Sequence, residues 1–201
     1  MTDIKIVSIE GNIGAGKSTL LKALEEDDRF VVLYEYVDDW HDALKHFYKD
    51  KEKYSLTLQL KILESRFKAV INVMNEMLSM PDKILICERG LHADLMVFAK
   101  ALVRSKYMND IEFETYKGWH DFVMSVTNLK FHKHVYLKVD TDICLERIKK
   151  RGRDGEEDID QAYLDILEEA HDEWLGAIDN VLVIDANGSV DYEDLKNALT
   201  A

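Results

Sequence analysis

Eight consecutive residues, Gly11-Asn12-Ile13-Gly14-Ala15-Gly16-Lys17-Ser18, carry the spacing G-x-x-x-x-G-K-S of a phosphate-cradling loop. Its glycines permit turns that a Cβ would block and let successive N–H groups face an anion. Lys17 would reach the β- and γ-phosphates, and the Ser18 hydroxyl would sit on Mg2+. An apolar run ends just before the loop and a helical pattern opens at Lys17, so the positive end of a helix dipole adds to the site. A nucleoside triphosphate is the expected ligand.

Such a loop serves several enzyme classes, and other residues discriminate among them. The guanine-reading Asn-Lys-x-Asp of switch GTPases is absent. Motor and transporter ATPases end a second strand in Asp, whereas Ile84-Leu85-Ile86-Cys87 here runs into Glu88-Arg89. A carboxylate there can hold Mg2+ directly or through water, and the adjacent guanidinium can steady transferred charge. Glu35 ends another apolar run at the same expected sheet edge. A carboxylate near a γ-phosphate helps when the acceptor is a neutral hydroxyl that must lose its proton; a phosphate acceptor needs no base. Glu35 therefore favours a hydroxyl acceptor. Arg147, Arg151 and Arg153 crowd the end of a later helical pattern, with Gly152 between the last two. Two planar forks on a mobile strip can close over triphosphate oxygens and withdraw afterwards.

A scaffold for these groups is legible in the hydropathy pattern. Runs rich in Val, Ile and Leu at 4–9, 31–35, 84–88, 134–139 and 181–185 predict five strands. Amphipathic segments at 17–27, 40–49, 53–79, 92–105, 110–127, 141–151, 160–178 and 191–200 predict the helices. The alternation is that of an α/β fold with a parallel sheet. Asp160 and Asp191 are N-cap candidates, Thr141 opens a helix, and Pro81 stops the long one. No repeat or linker interrupts the 201 residues, so one domain over 1–201 is expected.

A formal charge of −13 argues against a nucleic acid or an anionic membrane as main partner, while leaving room for a local basic cluster. Cys87 and Cys144 lie in apolar surroundings without metal or redox spacing, and read as small core residues of a reducing compartment. The first strand begins within four residues and no apolar stretch approaches the length of a membrane span. The expectation is a cytoplasmic protein with no leader.

Taken in order, these residues resemble the deoxynucleoside kinases related to deoxycytidine, deoxyguanosine and deoxyadenosine kinases. The matching pieces are Glu10 through Thr19, Glu35-Tyr36-Val37 with Trp40, Tyr48, and Ser55 to Gln59 with Ser65-Arg66. They continue with Glu88-Arg89-Gly90, Asp94 with Phe98, and Arg147…Arg151-Gly152-Arg153 leading to Glu156 and Tyr163. The resemblance covers nearly the whole chain. It implies a P-loop kinase fold with a short arginine-rich lid at about 147–157, and ATP or another NTP with Mg2+ as the donor. It implies phosphate contacts from Gly11 to Thr19 and the lid arginines, Mg2+ on Ser18 and Glu88, and catalysis by Lys17, Glu35 and Arg89. Glu35 would be the general base on a 5′-hydroxyl, with Arg89 beside it.

A nucleoside pocket is implied in the same way. Gln59 would read a base edge, Phe98 would stack on the base, and Trp40 would close the slot. Leu44, Phe47 and Ile62 belong to the same implied pocket. Tyr48 and Glu156 would hold the 3′-hydroxyl, the tyrosine also crowding the 2′ carbon against ribose. Arg66 and Asp94 imply deoxyadenosine, deoxycytidine or deoxyguanosine rather than thymidine. Relatives are commonly homodimers, and the same is implied here. The chain departs from the family pattern at Leu58, Gly90 and Tyr36, where an aromatic, serine and proline are common, and at Ile62, where some members carry a smaller residue. Two readings compete: a thymidylate-type nucleoside monophosphate kinase, and a non-catalytic structural relative. The latter should have lost groups such as Lys17, Ser18, Glu35 or Arg89, all of which are present.

Overall fold

Five short aliphatic runs form one all-parallel sheet in the order β2-β3-β1-β4-β5. The strands are β1 (Ile6–Glu10), β2 (Phe30–Leu33), β3 (Ile84–Glu88), β4 (Lys133–Lys138) and β5 (Val181–Asp185). The computed structural model describes residues 4–127 and 129–200. Helices connect the strands: α1 (Lys17–Glu25), α2 (His41–Lys49), α3 (Lys51–Met77), α4 (Leu91–Ala93), α5 (Lys100–Arg104), α6 (Asp110–Thr127), α7 (Thr141–Arg151), α8 (Gln161–Leu175) and α9 (Tyr192–Thr200). This is the α/β architecture expected of a P-loop kinase.

Residue alternation along the strands sets the two faces of the sheet. Val7, Ile9, Ile84 and Ile86 join Leu20, Leu21, Leu24, Leu164 and Leu195 in one apolar cluster. Ile6, Leu85 and Cys87 join Leu63, Met77, Tyr116 and Leu129 in another. Cys144 belongs to the first cluster, so the two free, buried cysteines lie on opposite sides of the sheet. Because β1 and β3 are buried on both faces, their sequences carry no polar alternation until Ser8, Glu10 and Glu88.

Several boundaries differ from the sequence expectation. The first strand starts at Ile6 rather than residue 4 and reaches Glu10, which pairs with Tyr136. The second strand stops at Leu33, its last partner being Cys87. Glu35 therefore lies beyond the strand, where its carboxylate turns towards two arginines instead of continuing the ladder. The long helix begins at Lys51, capped by Asp50 accepting from Lys53 N–H at 3.2 Å, and ends four residues before Pro81. The predicted helix at 92–105 is a composite. Between α4 and α5, residues Asp94–Ala99 are π-helical, a widening often found at functional sites. Asp160 and Asp191 do cap α8 and α9, accepting from the Tyr163, Glu193 and Asp194 amides.

Candidate active site

The carboxyl ends of β1, β3 and β4 meet where connections leave the sheet in opposite directions, the usual ligand crevice of an open α/β sheet. The loop between β1 and α1 closes tightly there. A Cβ at Gly11 would stand 2.6 Å from the Leu137 carbonyl oxygen, and one at Gly14 2.5 Å from that of Cys144. Gly14 also has φ +84°, in the left-handed region. The Asn12 side chain ties the loop down, donating to the Leu164 carbonyl at 2.9 Å and accepting from Ile13 N–H at 2.9 Å. Gly16 precedes α1 without a side-chain cap, and while Thr19 N–H donates to the Gly16 carbonyl at 3.1 Å, the Lys17 and Ser18 amides at the start of the helix face the loop's concavity as anion donors do.

Lys17 is buried, and its ammonium folds back onto the Asn12 and Gly11 carbonyls at 2.8 and 3.2 Å. Burial, and next the charge of Arg89, push it down to about 7 against the pull of Glu88, Glu35 and Glu10. An anion beside it restores the charged form. Ser18 donates to the Glu88 carboxylate at 2.8 Å, which places two oxygen donors side by side at the end of β3. Two such oxygens suit a hard cation that takes its remaining ligands from phosphate and water.

Glu35 stands in the middle of the cleft between two guanidiniums. Arg66 donates to Oε1 at 2.9 Å, and Arg89 Nε lies 3.7 Å from Oε2. Burial opposes ionisation of Glu35, but the charges of Arg66, Arg89 and Lys17 outweigh it and hold its carboxyl below the usual range. Arg66 makes a fork with Asp94 (2.8 and 3.1 Å) and donates to the Glu88 carbonyl at 2.9 Å. Every nitrogen of its guanidinium is thus engaged, and Arg66 sits behind the cleft rather than in its lining. Of the expected base-reading pair, Asp94 alone reaches the wall. Arg89 stacks its guanidinium over Phe98 at 4.7 Å from the ring centre.

One continuous cavity of about 630 Å³ runs from the loop to a slot between α2 and α3. Trp40, Leu44, Phe47 and Tyr48 come from α2 and the turn before it; Gln59 and Ile62 from α3; Asp94 and Phe98 from the π-helical stretch. Gln59 is 3% exposed, and its Oε1 has no hydrogen-bond partner among the described residues. A buried amide oxygen in that state is an open acceptor for a ligand donor. The slot combines apolar walls with a few convergent polar groups, as small-molecule sites do.

The lid arginines are drawn inward. Arg147 bridges the Ala15, Ala186 and Asn187 carbonyls at 3.4, 3.1 and 3.3 Å. Arg151 and Arg153 both bind Glu156, at 2.6 and 3.3 Å. Glu156, expected on a sugar hydroxyl, is held here by the two arginines expected on phosphate, while still lining the cavity. The segment's tip reaches α2, where Lys45 pairs with Asp154 at 2.7 Å. Lys22, Tyr34, Leu102 and Ile159 also line the cavity and were not singled out from the sequence. Leu102 follows Phe98 by four residues, a same-face spacing that offered a signal; Lys22, Tyr34 and Ile159 read as ordinary helix, strand and loop positions.

An anion cradle, a carboxylate kept ionised between guanidiniums, and a flat slot with amide and carboxylate partners suit phosphoryl transfer onto a hydroxyl of a ring-bearing acceptor. Comparison with known proteins agrees. A probable deoxycytidine kinase of fowlpox virus is 32% identical over 199 residues, covering 96% of this chain and 83% of its own. Human deoxycytidine kinase is 34% identical over 198 residues, covering 87% and 76% respectively. The family model for deoxynucleoside kinases matches residues 7–200. The protein is a nucleoside kinase phosphotransferase that uses a nucleoside triphosphate donor, and it belongs to the deoxynucleoside kinase family.

Proposed function

We propose that the protein transfers the γ-phosphoryl group of ATP or another NTP to the 5′-hydroxyl of deoxyadenosine, deoxycytidine or deoxyguanosine in preference to thymidine. The observation that carries this reading is the single cavity in which the phosphate loop and the Gln59 slot meet at Glu35. Glu35 takes the hydroxyl proton, and Arg89 steadies the charge that develops between acceptor and γ-phosphate. Lys17 and the amides from Gly11 to Thr19 hold the phosphates, with Arg147, Arg151 and Arg153 closing over them after Glu156 lets go of the last two. Ser18 and Glu88 would hold Mg2+, which supplies charge neutralisation at the phosphate oxygens.

In the slot, Gln59 pairs with a base edge between Phe98 and Trp40, and Leu44, Phe47 and Ile62 exclude water. Tyr48 packs against the sugar at its 2′ carbon. Asp94, fixed by Arg66, accepts from exocyclic or ring N–H groups and leaves little room for a 5-methyl. The similarity to human deoxycytidine kinase and to a probable deoxycytidine kinase of fowlpox virus supports an amino-bearing base. A homodimer is part of the same reading. Ile111, Trp119, Phe122 and Val126 are 54–81% exposed and share one face of α6, a stripe suited to a second copy.

The test is one panel of four deoxynucleosides, their ribose counterparts and their 5′-monophosphates, each with ATP and Mg2+. Phosphorylation of amino-bearing deoxynucleosides ahead of thymidine, ribonucleosides and monophosphates is the expected outcome; preferential use of a monophosphate sinks the reading.

A further inference from the structure

Glu10 ends β1 with its side chain fully buried, and nothing in the chemistry above uses it. Burial pushes its carboxyl up, against hydrogen bonds from Ser8 and Gly90 and the charges of Arg89 and Arg66. Its Oε2 has no hydrogen-bond partner among the described residues. His134 Nδ1 lies 3.9 Å from Oε1 but pairs with Ser8 at 2.7 Å. Burial holds that ring down at about 4, so His134 brings no charge at neutral pH. A buried carboxyl with an orphaned oxygen carries a desolvation cost that the Gly90 hydrogen bond and the nearby arginines only partly offset. Residues that break the rules of folding in this way tend to be kept for what they do at a site.

The other oxygen points to that use. Oε1 accepts from Gly90 N–H at 2.9 Å, immediately after Arg89. Arg89 has φ +64°, a left-handed conformation that a long side chain rarely adopts unless its surroundings impose it. Its own N–H donates to the Ile9 carbonyl at 3.1 Å, and its guanidinium donates to the Gly11 carbonyl at 2.8 Å. Residues 9, 10 and 11 thus grip the Arg89–Gly90 turn at three successive points. The bare α-carbon of Gly90 admits the carboxylate: an added Cβ would stand 3.2 Å from Oε1 and 3.1 Å from the Phe131 ring.

We propose that Glu10 is a positioning residue, whose Oε1 fixes the Arg89–Gly90 peptide in the turn that aims the Arg89 guanidinium at Glu35 and the phosphate loop. The inference rests on Arg89 being the group that steadies the transferred charge. Its test compares Glu10→Leu, Glu10→Gln, Arg89→Met and the Glu10→Leu/Arg89→Met double variant, with kcat, both KM values and melting temperature measured on the panel's best acceptor. Glu10→Leu lowers kcat by roughly 10- to 100-fold, the scale of a misplaced transition-state group, and leaves each KM within about threefold. Glu10→Gln keeps an oxygen acceptor for Gly90 and restores kcat to within about threefold of the parent. In the double variant the losses do not add, because Glu10 acts through Arg89.

A Glu10→Leu protein with parental kcat, or one that fails to fold, overturns the proposal. So does a Glu10→Gln variant as slow as Glu10→Leu, or a double variant with additive losses. If Arg89→Met itself retains kcat, the role given to Arg89 fails first and separately.

Discussion

At the proposed phosphate end of the cleft, recognition would rest on eight contiguous residues, Gly11 to Ser18, and chiefly on their backbone. At the nucleoside end, side chains from α2, α3 and the π-helical stretch converge from more than fifty residues of sequence. The first end is made rigid by close backbone approaches at Gly11 and Gly14, where an added Cβ would stand 2.6 and 2.5 Å from a carbonyl oxygen. The second is made by packing and a few polar atoms, so it can change its ligand without changing the fold. Phosphate is common to all donors, whereas the base is what distinguishes one acceptor from another. The part that must stay constant is encoded locally, and the part that varies is assembled at long range.

The largest expected effect lies at the junction of the two ends. Glu35→Gln removes the proton acceptor while leaving both pockets intact, and should lower kcat by about two to four powers of ten with the triphosphate still bound. Near-parental turnover in that variant removes Glu35 from the role. Gly14→Ala strikes the phosphate end alone. The left-handed backbone and the Cys144 carbonyl oppose the added methyl, which should weaken triphosphate binding roughly 10- to 100-fold, on the scale of about 1–3 kcal/mol for a residue forced into such a conformation. Calorimetry with a non-hydrolysable triphosphate measures it, and unchanged affinity would show the loop to be less rigid than its contacts suggest.

Arg66→Met with Asp94→Ala strikes the nucleoside end. The ratio of thymidine to deoxycytidine kcat/KM should rise about tenfold or more as the polar pair is lost. Because Arg66 also binds Glu35, overall turnover should fall in the same variant; an unchanged ratio refutes the specificity argument. The smallest effect is a pH shift. In the proposed role Glu35 would work as the carboxylate, and its arginine neighbours hold its pKa below the usual value, so activity should persist below the ordinary glutamate range and fail as pH drops through the depressed pKa. Arg66→Met alone should move that acid limb upward in the kcat–pH profile.

How far the sequence led follows the same division. Gly11 to Ser18, Glu88 and Arg89 were readable because their chemistry depends on spacing along the chain or on the end of an aliphatic strand. Gln59, Phe98, Trp40 and Tyr48 carry no such mark and would have passed as helix surface or core; resemblance alone singled them out. Three features lay beyond either route. The π-helical turn at Asp94–Ala99 has the composition of an ordinary apolar helix. Arg66 was expected at the base, yet its engagement by Asp94, Glu35 and the Glu88 carbonyl depends on how α3 packs under the cleft. The third is the grip of Arg151 and Arg153 on Glu156, where the same residues could serve ligand or one another.

The two cysteines, one in each apolar cluster, give the molecule a built-in pair of clocks. Both thiols are buried away from solvent, and burial pushes Cys87 up to about 12 and Cys144 to about 11, which disfavours the reactive thiolate in the closed protein. A thiol reagent can modify each only when its own side of the sheet opens, and the rate of modification reports the free energy of that opening. Equal rates mean that the sheet and both helical layers separate as one cooperative unit. Unequal rates reveal which layer loosens first, and whether a bound triphosphate tightens one side of the sheet or both.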